Sequence, residues 1–301
     1  MDYEKYRGIF PAFYACYDSD GRISAEGTRR LARYLLEKGV QGLYVGGSSG
    51  ECIYQSVGER EKTLETVLDE VGGKLTVIAH VACNNTEDSR RLAAHAEAAG
   101  ADAIASIPPI YFHLPEDAIA KYWNDISDAA PRTDFIIYNI PQLAGVGLSL
   151  SLLRKMKRNP RLLGVKNSSM PVQDIQMWRD EDVLVFNGPD EQLLSGLAAG
   201  ACGGIGGTYA AMPELYLGIA ACFRGGEMEK GRRLQNEACR IIYQMCGADC
   251  NLYAVLKEII RLRGGPDAGD VRAPLMGLTD SGRAAARACA EQIEAAVGTL
   301  L

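Results

Sequence analysis

Two residues set the chemistry this chain could attempt. Lys166 ends the apolar run Leu162-Leu163-Gly164-Val165, and Tyr138 ends another, Phe135-Ile136-Ile137. An amine and a phenol at the ends of buried strands are the minimum parts for imine chemistry on a carbonyl. Lysine loses its proton readily on burial, which makes it a nucleophile near neutral pH. Taken singly, each residue has a plainer reading. A strand-end lysine can reach solvent, and a core tyrosine can simply satisfy its hydroxyl. The chemistry requires that the fold set the two side by side.

The elements that would do so are short β-rich apolar runs alternating with helical patterns. Candidate strands are Gly8–Phe13, Gly42–Gly47, Leu75–Val81, Ala103–Pro108, Asp134–Ile140, Leu162–Lys166, Val183–Asn187 and Ala201–Gly206. They lack polar alternation, as strands buried on both faces should. Ser56-Val57-Gly58-Glu59 is a capping box, Thr86-Glu87-Asp88 opens the next helix, and Pro115-Glu116-Asp117 opens another. Strand–helix alternation implies parallel pairing through right-handed crossovers. Eight units predict an α/β fold, a closed (β/α)8 TIM barrel, with a doubly wound open sheet as the rival. After about residue 210 only helical patterns remain, over Pro213–Phe223, Glu227–Met245, Asn251–Arg263 and Ser281–Val297. The expected division is a catalytic barrel over residues 1–224 and a helical extension over 225–301, packed on the barrel.

In such a barrel the reactive groups come from the C-terminal ends of the strands. Strand two ends in Gly46-Gly47-Ser48-Ser49-Gly50-Glu51, strand four in Pro108-Pro109-Ile110-Tyr111, strand seven in Asn187-Gly188-Pro189-Asp190-Glu191, and strand eight in Gly203-Gly204-Ile205-Gly206-Gly207-Thr208. Ser168-Ser169 follow Lys166 directly. The Gly46–Glu51 segment can bring backbone N–H groups and two hydroxyls to an anion, although the same residues could form only a turn. It lacks the spacing of a nucleotide-binding loop. Asp190 and Glu191 could equally be acids at a helix start.

Composition narrows the classes. At 301 residues, 47% hydrophobic and 23% charged, the chain can bury a substantial core. A net charge of -6 without a basic run argues against a nucleic-acid partner. No apolar stretch approaches the roughly 20 residues that span a bilayer. The start, Met1-Asp2-Tyr3-Glu4-Lys5-Tyr6, lacks the cationic and apolar regions of a signal peptide. Nine cysteines, an odd number scattered among apolar segments, read as reduced and mostly buried thiols of a cytoplasmic protein. Cys246 and Cys250 could share a helix face, but His80, His95 and His113 stand at unrelated positions, so no zinc-like ligand set forms and no metal is expected.

Together these segments resemble the pyruvate-dependent class I aldolase family that includes N-acetylneuraminate lyase and dihydrodipicolinate synthase. The motifs that carry the resemblance are Gly46–Glu51, Tyr138-Asn139-Ile140-Pro141, and Gly164-Val165-Lys166 with Asn167-Ser168-Ser169. It implies a barrel, usually a homotetramer, that uses no cofactor and forms a Schiff base between Lys166 and the keto carbon of a 2-keto acid. It makes Tyr138 the catalytic proton carrier, Ser48 and Ser49 the carboxylate holders, and Tyr111 a tyrosine that approaches a neighbouring subunit's site. Dihydrodipicolinate synthases usually carry an arginine just after the tyrosine segment, whereas this chain has Gln142-Leu143-Ala144-Gly145. A bidentate carboxylate partner is therefore missing. The Ile-Pro and Leu-x-Gly pattern resembles the neuraminate lyases.

In those lyases a glycine, then Asp-Glu after one residue, contacts the hydroxyl-rich tail of a sugar acid. Here these are Gly188, Asp190 and Glu191, with Ser168 as a further contact. Gly207 stands where a serine usually helps to hold the tail. The resemblance thus implies cleavage of N-acetylneuraminate to N-acetylmannosamine and pyruvate. The alternatives are another 2-keto-3-deoxy acid aldolase, a dihydrodipicolinate synthase-like enzyme, or a non-catalytic barrel that binds a keto acid.

Overall fold

Continuous apolar runs leave no polar face, so each strand must lie inside a parallel sheet covered by helices. In the computed structural model, which describes residues 3–301, eight such runs pair in parallel. They are β1 (Gly8–Pro11), β2 (Gly42–Val45), β3 (Thr76–His80), β4 (Ala103–Ser106), β5 (Asp134–Asn139), β6 (Leu162–Asn167), β7 (Leu184–Asn187) and β8 (Gly203–Gly206). Met1 and Asp2, at the head of the segment compared with a signal peptide, lie outside the described residues.

The sheet runs β1-β8-β7-β6-β5-β4-β3-β2. Its ends meet through a parallel bridge from Ala12 to Tyr44 and a 2.9 Å hydrogen bond from Phe13 N to Tyr44 O. The Gln41 side chain completes the seam by accepting Ile9 N at 2.8 Å. This is the (β/α)8 barrel that the alternation predicts, and the open-sheet rival falls.

The outer ring is α1 (Ala25–Glu37), α2 (Val57–Val71), α3 (Thr86–Ala99), α4 (Glu116–Asp128), the single turn α5 (Pro141–Ala144), α6 (Leu150–Met156), α7 (Gln173–Arg179), α8 (Leu193–Ala198) and α9 (Pro213–Gly225). The expected capping box is present: Ser56 and Glu59 each satisfy the other's backbone N–H at the start of α2. Helix α3 opens at Thr86 as expected, with Asn85 before it as the N-cap whose side chain accepts Asp88 N. Three more helices follow, α10 (Met228–Cys246), α11 (Leu252–Leu262) and α12 (Asp280–Leu300). Helix α10 packs on α9 and α12, and α11 packs on α12.

Two cores result. One lies between sheet and helices and includes Ile9, Leu43, Val77, Ile104, Ile137 and Val165. The other fills the barrel with Phe10, Tyr44, Ile78, Ile136, Tyr138 and Phe186. At Gly164 the neighbouring strand comes so close that a Cβ would sit 2.2 Å from Leu184 O.

Two readings of the cysteines need correction. Cys246 is the last residue of α10 while Cys250 lies beyond Gly247, so they share no helix face. Only Cys16, Cys222 and Cys289 are buried; Cys246 is exposed and the other five are half-buried, all of them free thiols. Three of these five directly follow buried alanines in sequence (Ala82, Ala201 and Ala238), but all five lie in loops, in a single turn or at the edge of the buried face of α10, which sequence alone does not distinguish from core.

Candidate active site

Strand register brings the two reactive groups together. Phe135 pairs with Leu162 but Ile136 pairs with Gly164, and this one-residue irregularity brings Tyr138 level with Lys166. With alternating side chains, both then point into the barrel. The Lys166 Nζ lies 3.8 Å from the centre of the Tyr138 ring and 4.2 Å from that of Tyr44. Lys166 and Tyr138 are each only 4% exposed. Burial therefore brings the Lys166 amine down from 10.5 to about 7, with the Asp190 carboxylate opposing. Burial also pushes the Tyr138 phenol up to about 12, against the hydroxyls of Ser48 and Ser168, which favour its anion.

The outward-facing neighbours hold this geometry. Asn167 Oδ1 accepts Asn139 Nδ2 at 2.8 Å and Trp178 Nε1 at 2.9 Å. Its Nδ2 donates to Ser169 Oγ at 2.8 Å, and Ser169 in turn donates to Asp174 Oδ2 at 2.7 Å. Of the serine pair after Lys166, Ser169 thus anchors the strand end while Ser168 faces the phenol. Gly188 is dictated by that hydroxyl, since a Cβ there would meet Ser168 Oγ at 2.0 Å.

The Gly46–Glu51 segment forms a single tight turn over Ser48–Gly50. Gly46 enters it at φ 75°, and Gly50 N and Glu51 N donate back to Gly47 O and Ser48 O at 3.0 Å each. The N–H groups of Ser48 and Ser49 precede those bonds, so the turn does not use them. Ser49 also faces Tyr253 of α11, a half-buried phenol that burial raises to about 12. The entry is held by His80, whose Nδ1 lies 2.9 Å from Gly46 O. Burial, helped by the Arg60 cation, lowers His80 to about 3. A neutral imidazole facing a carbonyl must donate, so the proton is on Nδ1.

Asp190 is 8% exposed, and burial raises it to about 6. Its Oδ2 accepts both Thr208 N and Thr208 Oγ1 at 2.6 Å, and that hydroxyl also meets Tyr216 OH at 2.6 Å. This leaves Oδ1, which lies over Gly206. Glu191 is half-buried, and its charge acts on Asp190 and on the α10 thiols Cys239 and Cys246. Gly207 accepts Tyr14 OH at 2.5 Å through its carbonyl, and a Cβ there would face Ser49 Oγ at 3.3 Å.

Lys166, Tyr138, Ser48, Ser49, Ser168, Gly188, Asp190 and Gly207 are therefore linked into one cluster at the mouth of the barrel. Tyr111 is not part of it in this chain. At φ 87° and 87% exposed, it lines a surface groove of about 580 Å³ with Phe112, Asn84 and Lys121. Sequence reasoning missed Tyr44, His80, Thr208 and Tyr253. The parity of β2 points Tyr44 inward and could have found it. Tyr253 comes from a helix whose place at the barrel mouth no local pattern encodes.

Residues 5–293 match the model of the dihydrodipicolinate synthetase family. An N-acetylneuraminate lyase of Mediterraneibacter gnavus is 58% identical over 293 residues, 96% of this chain and 93% of that one. An N-acetylneuraminate lyase of Citrobacter koseri is 38% identical over 78% of this chain and 80% of its own. Among solved structures, wild-type sialic acid aldolase of Ruminococcus gnavus superposes with a TM-score of 0.97 at 57% identity, covering 99% of this chain and all of that one (100%). A form of that aldolase described as its catalytic lysine mutant gives 0.98 at 57% identity, covering 99% of each chain.

Proposed function

The chain belongs to the dihydrodipicolinate synthetase family, and from that premise we propose that it is an N-acetylneuraminate lyase, a class I aldolase that splits the sugar acid into N-acetylmannosamine and pyruvate. The observation that carries this is Lys166, a buried amine brought to about 7 and set in register beside Tyr138, in a chain 58% identical to such a lyase.

Neutral Lys166 attacks C2 of the open-chain acid, and loss of water leaves a protonated imine that draws electrons toward nitrogen. The C3–C4 bond breaks, its electron pair moves into the enamine, and the C4 hydroxyl gives up its proton. A phenol raised to about 12 is protonated at neutral pH, so Tyr138 works as a relay rather than a base. Its oxygen takes the C4 proton as its own passes to the substrate carboxylate. Ser48 and Ser49 hold that carboxylate through hydroxyls and N–H groups and so orient the imine. Protonation of the enamine at C3 and hydrolysis then release pyruvate and free Lys166. Asp190 Oδ1, Glu191 and Ser168 accept from or donate to the hydroxyl-rich tail, with Gly188 and Gly207 leaving it room. No cofactor enters these steps.

We also place Tyr111 at the site of a neighbouring copy in a homotetramer, which suits its exposure, and the protein in the cytoplasm. Among the described residues no helix is long and apolar enough to cross a membrane.

The test is a coupled assay of pyruvate release from N-acetylneuraminate and several other 2-keto-3-deoxy acids, with borohydride trapping of pyruvate and mass spectrometry. Release from N-acetylneuraminate with an adduct on Lys166, both lost in Lys166→Ala, is expected. A wild-type protein without the adduct would exclude the aldolase and leave the keto-acid-binding reading.

A further inference from the structure

Glu51 and Lys257 form an ion pair with side chains 0% and 2% exposed and Nζ 2.8 Å from Oε1. Both ends are fully engaged. Glu51 Oε2 accepts Arg272 N at 2.8 Å, and Lys257 donates to Asp270 O at 2.9 Å while its ammonium sits 4.8 Å over the Tyr17 ring. Burying two charges is costly enough that such pairs add little net stability. Glu51 also sits at φ 54°, a left-handed backbone that suits glycine better. Neither cost is explained by the fold alone.

The location supplies the reason. Glu51 is the last residue of the turn that carries Ser48 and Ser49, and its own N–H closes that turn on Ser48 O. Lys257 lies on α11, one turn after Tyr253, which faces Ser49. The turn is thus pinned at its entry by His80 and at its exit by the helical extension.

We infer that Glu51 and Lys257 are positioning residues: their ion pair ties α11 to the exit of the Gly46–Glu51 turn and holds Ser48 and Ser49 in place for the substrate carboxylate. The role of the turn in this inference rests on the aldolase reading above. The cradle binds the carboxylate before the reaction and orients the imine during it, so loosening it should raise KM and lower kcat together.

The test compares wild type with Glu51→Gly/Lys257→Met, which removes both charges together, leaves no lone buried ion and suits the left-handed backbone. Circular dichroism and melting report the fold, hydrogen exchange reports residues 46–51 without ligand, and kinetics report the site. The expected result is a folded variant in which the turn exchanges at least tenfold faster. The KM for N-acetylneuraminate and the inhibition constant of pyruvate should both rise about tenfold or more, and kcat should fall with them. A merely structural pair would lower the melting temperature and leave KM per folded molecule unchanged. A folded variant with wild-type exchange and wild-type KM overturns the inference. Glu51→Gln, close in shape but uncharged, is measured in the same way should the double variant fail to fold. If wild type itself shows no pyruvate adduct, the aldolase reading fails, and the exchange comparison still decides whether the pair orders the turn.

Discussion

Lys166 is a site where burial works against the fold, and the size of that opposition can be measured. Burial brings its amine from 10.5 in an exposed chain to about 7. At pH 6 the amine carries its proton in both folded and unfolded protein, and folding must strip water from the cation at a cost of about 5 kcal/mol. Above pH 7 the folded protein releases the proton while the unfolded chain keeps it. The unfolded state then binds more protons, so stability rises with pH until the penalty disappears near 10.5. At pH 9 about 2 kcal/mol of it remains. Replacing Lys166 with methionine keeps most of the length and removes the charge. Lys166→Met is therefore expected to raise the free energy of unfolding by about 5 kcal/mol at pH 6 and by about 2 kcal/mol at pH 9. Urea titrations at the two pH values, followed by circular dichroism, measure both gains. Equal gains at the two pH values, or a loss at either, would refute the idea that a buried, displaced amine occupies this position.

Two further perturbations test neighbouring parts of the same account. Tyr138→Phe keeps the ring beside Lys166 but removes the relay; turnover should fall by about 10²–10⁴-fold while borohydride still traps pyruvate on Lys166, and loss of both together would mean that the hydroxyl is already needed to form the imine. Gly164→Ala would place a methyl 2.2 Å from Leu184 O, so β6 and β7 must part; a loss of about 1–3 kcal/mol or more in thermal unfolding is expected, and a wild-type melting temperature would contradict the strand spacing.

The barrel was legible because its strands are buried on both faces and therefore lose polar alternation entirely. Leu75-Thr76-Val77-Ile78-Ala79 and Phe135-Ile136-Ile137 can hardly be anything else once helical patterns flank them. Lys166 and Tyr138 were legible as well, because strand ends are where a barrel exposes chemistry. Tertiary distance hid the rest. Glu51 stands in plain view at the end of its turn, yet its partner lies on a helix 206 residues later, and no local periodicity links them. Asp190 reads as a polyol acceptor from its motif, and only the folded chain shows that Thr208 already occupies one of its two oxygens. Tyr253 carries no mark of its role either, since α11 reads as any amphipathic helix would.

The order in which the chain is made gives the Glu51–Lys257 contact a temporal side. All eight strands, and every residue proposed to touch the reacting atoms, have been synthesised by Thr208. Lys257 comes later, and at about 5–20 residues per second a ribosome takes several seconds to reach it. During that interval a nascent barrel can hold Lys166 beside Tyr138 while the Glu51 carboxylate still lacks its cation. Any barrel that closed before Lys257 was made would therefore have its nucleophile in place and its grip on the carboxylate still loose.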